Sequence, residues 1–257
     1  MRRHNIRKQK VIKEKKTTLS DIIADSQERR KEYCSWLLDQ QDNKAGFIEH
    51  VIWTDKATFT KNGMLDGRKS HIWSKKAEPL HINGEPQWSV NVWAGIYNTR
   101  ILGPVFLPEK VGGEEYLDFI NQHLVEIVDN LPLDVSRKTW FQHDGAPPHA
   151  HRTVRERLTE LFKDRWIGRL GPHAWPPRSP DLNPLNFSLW VYVKERVFDG
   201  ECPNADEMKR RITEAFEKLR QDCEVDPTFM PRLHVETEQR AKLCLQVDGG
   251  QFNPTTH

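Results

Sequence analysis

Two aspartates and an asparagine carry the chemistry this sequence could do. Asp55 ends the apolar run from Phe47 to Thr54, Asp144 ends the run from Thr139 to His143, and Asn186 follows the pair Asn183 and Pro184. Cleaving a phosphodiester at neutral pH requires that the charge on the transferring phosphate be offset and that a water or hydroxyl be activated. Two Mg²⁺ ions about 4 Å apart do both, and they need carboxylates on rigid supports. A sheet fixes the backbone of a carboxylate at a strand tip. Taken alone, an aspartate after a strand more often caps a turn.

The elements that must position these residues follow from periodicity. Residues 19–40 place Leu19, Ile22, Ile23, Tyr33 and Leu37 at helical spacing. Strands are expected over 47–54, 71–74, 88–97 and 101–107, the last three forming an antiparallel meander. A helix follows Gly112 and Gly113, with Tyr116, Leu117, Ile120, Leu124, Ile127, Val128 and Leu131 on one face and Pro132 ending it. A short strand then points into Asp144, and Val154, Leu158, Leu161 and Phe162 stripe the next helix. Five prolines within 165–186 exclude long regular structure there. Asn183 as N-cap and Pro184 in the first turn open a helix over 185–198. Asn204 with Glu207 opens another, and a last helix covers about 228–246. This alternation reads as an α/β fold, a mixed sheet covered by helices, in which sites form at strand ends.

Charge is unevenly spread. Residues 1–16 hold eight Lys or Arg against one Glu, a local +7, while the chain totals +2, so the remainder sums to −5. Such a basic arm, with Arg2, Arg3 and Lys8, suits phosphate contact, a nuclear-import signal or a solvated end. Four scattered cysteines imply neither a zinc site nor a disulfide framework. No apolar run approaches the roughly 18 residues of a membrane span, and no signal peptide opens the chain.

Four strings carry a resemblance: Trp53-Thr54-Asp55, the stretch from Asn91 to Ile96, the stretch from Gln142 to His149, and the stretch from Trp175 to Pro184. Together they closely resemble the catalytic domain of mariner-type transposases, from about Arg29 to Gly250. These belong to the DNA transposases and integrases with a ribonuclease-H-like fold and three metal-binding carboxylates. The resemblance implies an antiparallel meander joined to parallel strands, with helical extensions at both ends. It implies Asp55 and Asp144 as the first two catalytic, metal-holding carboxylates and Asn186 at the third position, with Mg²⁺ or Mn²⁺ as cofactor. Water would attack the phosphate in line, and the freed 3′-hydroxyl would serve strand transfer. Double-stranded DNA, as transposon end or target, is the implied partner, a homodimer is possible, no membrane is involved, and the implied location is nuclear.

The sequence departs from that family in three ways. Asn186 stands where the family has Asp or Glu; an amide oxygen can ligate a hard cation but removes one negative charge. Lys56 stands where Glu is common, to compete with a metal at Asp55 or to contact a phosphate. Residues 1–28 have room for neither of two helix-turn-helix modules, so recognition of terminal repeats is expected to be missing. Asp181 could replace the absent carboxylate, although hydrogen bonding within its own turn is the simpler role; Glu195, roughly 13 Å along the helix from Asn186, is too far. Trp175 and Arg178 could stack on and bind DNA, but Trp175 suits a core clamp better. His149 and His151, two apart, make no metal pair. The expected layout is a basic arm or linker remnant over 1–18, a helical lead-in over 19–46, the core over 47–200 and C-terminal helices over 201–257. The expected function is a DNA endonuclease and strand-transfer domain impaired at Asn186. The alternative is an inactive DNA-binding or dimerising module of the same origin.

Overall fold

A computed structural model describes residues 19–61, 63–66 and 88–252. The basic arm with Arg2, Arg3 and Lys8, and the strand expected over 71–74, lie outside the described residues. Seven strands form one mixed sheet in the order β4-β3-β1-β5-β6-β7, with β2 also pairing with β1. β1 (Val51–Thr60), β3 (Ser89–Tyr97) and β4 (Arg100–Leu107) are antiparallel, so the last two strands of the expected meander pair as expected while its third neighbour is β1. β5 (Trp140–Gln142) joins β1 in parallel, and β6 (Trp166–Gly168) and β7 (His173–Ala174) extend the sheet in the same sense. β2 (Gly63–Asp66) pairs with the far half of β1, from Ala57 onward. One edge of β1 is thus shared between β5 and β2, and Asp55 falls in the interval between them.

Strand alternation divides the core into two layers. Val51, Trp53, Ala57 and Phe59 of β1 pack with the helices α1 (Leu19–Asn43), α6 (Trp190–Val197), α7 (Ala205–Val225) and α8 (Phe229–Gln246). Ile52 of β1, with Trp93 and Phe141, packs with α2 (Gly113–Phe119), α3 (Val125–Asp129) and α5 (Arg152–Phe162). A minor helical turn, α4 (Leu133–Ser136), leads into β5. The helices follow the sequence periodicity closely. Asn204 caps α7 by accepting from Glu207 N at 2.8 Å, and Met208, Ile212, Ala215, Phe216 and Leu219 form its buried face.

Two features differ from expectation. Asp55 is not at a strand tip: β1 continues five residues past it to Thr60, because Ala57 and Phe59 keep alternating inward and β3 pairs throughout. The proline-rich stretch also contains two short strands, β6 and β7, whose three and two residues are too few to show a period.

Candidate active site

The register of β1 and β5 sets the site. Trp53 is level with Gln142, so extending both chains by two places brings Asp55 and Asp144 side by side where β5 ends. Neighbouring strands lie about 4.8 Å apart, and strand alternation turns Asp55 toward the Trp53 face. The buried Tyr116 phenol senses both carboxylates: burial raises its pKa well above the ordinary value, and Asp144 and then Asp55 add to the rise.

A facing helix is bolted to the same place on β1. Asn183 Nδ2 donates to the Thr54 carbonyl at 3.0 Å while its Oδ1 accepts from Leu185 N at 3.0 Å. Trp190, 1% exposed, donates its indole N–H to Asp55 Oδ2 at 2.9 Å. Asn186 lies between these two anchors, in the widened π-helical turn Leu185–Leu189, and is half-buried. It shares a helix face with Trp190, four residues on. The two hydrogen bonds on either side of Asn186 reach consecutive residues of β1, Thr54 and Asp55.

Asp144 is held from the other side. His149 Nδ1 lies 2.8 Å from its Oδ1 and 3.0 Å from its carbonyl oxygen. Ala146 N donates to the same Oδ1 at 2.9 Å. The His149 ring stacks on His143 at 4.5 Å and 6°, and lies 4.3 Å from Tyr116. Burial, and secondarily His149, lowers the His143 pKa well below its ordinary value, so that ring is neutral at pH 7 despite the opposing pull of Asp144. His149 is thus a structural partner of a carboxylate. His151 is exposed and pairs with Thr153 Oγ1 at 2.9 Å.

The other expected site residues separate. Lys56 follows Asp55 in a regular strand and projects to the opposite face, level with Trp93, so the adjacency in sequence is not one in space. Asp181 is excluded as a substitute ligand: Arg30 grips it with two bonds of 2.8 and 2.6 Å in a buried ion pair. Arg178 is exposed, and Trp175, 5% exposed, packs edge-on against Tyr33 as a clamp on the core. The anchors Trp190, Asn183 and His149 were not legible as such, although the i, i+4 spacing of Asn186 and Trp190 was a usable signal.

Two carboxylates and an amide form an oxygen-only donor set, which suits a hard divalent cation. Among the described residues no three His, Cys, Asp or Glu side chains converge as metal ligands. A third ligand from the facing helix would therefore be the Asn186 amide oxygen.

Comparison with known proteins identifies the family and the fold. The model of a family described as DDE superfamily endonuclease matches residues 50–209. The Tc3 transposable-element transposase of Caenorhabditis elegans is 24% identical over 218 residues, which cover 81% of this chain and 59% of that protein. The chain thus spans about three fifths of that relative's length. The solved Mos1 transposase catalytic domain with Raltegravir and Mg superposes with a TM-score of 0.66 at 20% identity, covering 89% of this chain and 97% of that one. A Mos1 transposase paired-end complex with its left transposon end gives 0.65 at 22%, covering 95% and 68%. These structures share the fold.

Proposed function

The chain belongs to the DDE superfamily endonucleases, and from that premise we propose that it is a transposase-derived domain that cleaves DNA phosphodiesters with reduced capacity. The observation that carries the reading is that Asn183 and Trp190, on either side of Asn186, hydrogen-bond Thr54 and Asp55, while Asp144 follows the strand β5 that pairs with β1. Asp55 and Asp144 hold Mg²⁺ or Mn²⁺, and Asn186 adds a neutral oxygen. A bound ion of this kind offsets phosphate charge and activates a coordinated water. The Trp190 indole N–H and the His149 ring fix the orientation of the two carboxylates. With one anionic ligand fewer, the site holds its ion more weakly, and nicking of one strand is the expected activity.

Double-stranded DNA, as transposon end or target, is the proposed substrate, and Arg178 an exposed contact for its phosphates. The Tc3 and Mos1 proteins, a transposable-element transposase and one solved with its transposon end, support that choice. The paired-end form of the latter supports assembly as a pair, and work on DNA supports a nuclear setting. No described helix is long and apolar enough to cross a membrane.

Supercoiled plasmid incubated with the protein and Mn²⁺ or Mg²⁺ tests the reading. Slow nicking that disappears in Asp144→Ala is expected; nicking that survives this change defeats the assignment. The substitution at Asn186 favours a second reading, a DNA-binding or dimerising module without catalysis. Calorimetry separates the two: no heat of binding at millimolar Mn²⁺ leaves only the second.

A further inference from the structure

A cleft of about 660 Å³ opens between α1 and the loop that leads from β6 to Arg178. Gly145, the residue after Asp144, is part of its lining, so the cleft adjoins the segment that carries the proposed metal-binding carboxylate. Its walls carry three guanidiniums, from Arg29, Arg169 and Arg178, against the carboxylates of Asp25 and Glu32. Arg29 is engaged by Asp25 at 3.0 Å. Arg169 and Arg178 have no ion-pair partner among the described residues and both are exposed.

The backbone holds both arginines outward. Arg169 sits at the tip of a turn closed by Gly171 N and Trp175 N, each donating to the Gly168 carbonyl at 3.1 Å. The turn is pressed onto the core at two glycines. A Cβ at Gly168 would collide with His143 Nε2, and one at Gly171 would come within 2.7 Å of Trp166 Cζ3. Arg178 adopts φ 54°, a left-handed conformation that side-chain-bearing residues rarely keep without a reason. Gln251 Nε2 secures it by donating to the Arg178 carbonyl at 3.0 Å. The stretch 145–178 as a whole holds seven Lys or Arg against three Asp or Glu, +4 in a chain of +2. Positive charge is thus concentrated in the segment between the second and third site positions.

We propose that this cleft is a single-strand subsite, taking the phosphodiester backbone of the DNA strand that runs away from Asp144, with Arg169 and Arg178 each on one phosphate. A cleft of that volume has the size of a small-molecule pocket, which admits a short stretch of one strand and excludes a duplex. The proposal rests on the DNA-cleaving reading of the adjoining site and adds to it a strand-holding residue, Arg169.

Fluorescence anisotropy of labelled single-stranded oligonucleotides, titrated across salt concentrations with the full chain, tests it. Each phosphate contact on a single strand contributes a slope of about −0.7 in log K against log salt. Arg169→Ala and Arg178→Ala should each flatten the slope by about that amount, and the double variant by about 1.4. Lys138→Ala, an exposed charge at the other end of β5, should leave it unchanged. Circular dichroism establishes that the variants remain folded. A double variant with the wild-type slope and affinity overturns the proposal, as does a wild-type chain that binds no single strand. Mn²⁺ calorimetry on the same proteins keeps the two readings apart. Strand binding through the arginines without Mn²⁺ binding upholds the cleft and removes the metal site.

Discussion

Asp181 and Asp144 are both carboxylates within strings shared with transposases, yet their surroundings assign them opposite work. Asp181 meets the guanidinium of Arg30 in a bidentate pair, and the same guanidinium also donates to Ser179 Oγ and to the carbonyls of Gly249 and Gly250. Its charge is spent in joining α1, the loop before Asn186 and the chain beyond α8. Asp144 meets the imidazole of His149 and a backbone N–H, and Asp55 meets an indole N–H. These donors fix the orientation of the two carboxylates. The difference teaches that the partner, more than the motif, decides whether a carboxylate is a strut or a ligand.

The contrast breaks most visibly at the strut. Arg30→Ala leaves the half-buried Asp181 without its counter-charge, and urea denaturation should show a loss of about 3–5 kcal/mol. A loss under about 1 kcal/mol would place this pair among ordinary surface bridges. At the ligand end, Asn186→Asp restores one negative charge beside Asp55. Mn²⁺ affinity by calorimetry should then rise by about 100-fold, the equivalent of about 3 kcal/mol. Plasmid nicking should rise with it; unchanged affinity would mean that Asn186 does not face the ion. Trp190→Phe keeps the ring in the core but removes the N–H from Asp55. Loss of such an orienting bond should weaken Mn²⁺ about tenfold, with stability lowered by only about 1 kcal/mol.

The smallest expected effect concerns pH. Burial lowers the pKa of His234 below its ordinary value, with the Asn98 carbonyl and then Glu49 acting in the opposite direction. The unfolded chain therefore binds the proton first as pH falls. Stability contributed by the neutral ring is present above the unfolded pKa of about 6.5 and is lost as pH falls below it. The slope from this ring is at most about 1.4 kcal/mol per pH unit. In His234→Gln the decline in unfolding free energy between pH 7 and 5.5 should be shallower than in the wild type, and an equal slope would assign the decline to other groups.

Much of this organisation was legible in the sequence where a period could build up. The stripes of α5 and α7 give faces as well as boundaries. The neighbourhood of Asp144 and the helix start at Asn183 were legible too, through local turn chemistry and the resemblance they carry. What escaped depends on contacts across long separations. Arg30 reads as one charge among many on an amphipathic helix, and only its partner 151 residues away buries it. The Trp190 bond to Asp55 spans 135 residues, and its spacing from Asn186 gives the helix face but not the partner. Lys56 misled for the converse reason: adjacency along a strand means opposite faces.

A crystal of the wild-type chain soaked in Mn²⁺ tests the central claim most directly. The proposed site of Asp55, Asp144 and Asn186 predicts an anomalous peak coordinated by carboxylate oxygens of both aspartates, with the Asn186 amide oxygen turned toward it. A saturating soak with no peak between Asp55 and Asp144, or a peak held by other residues, would contradict it.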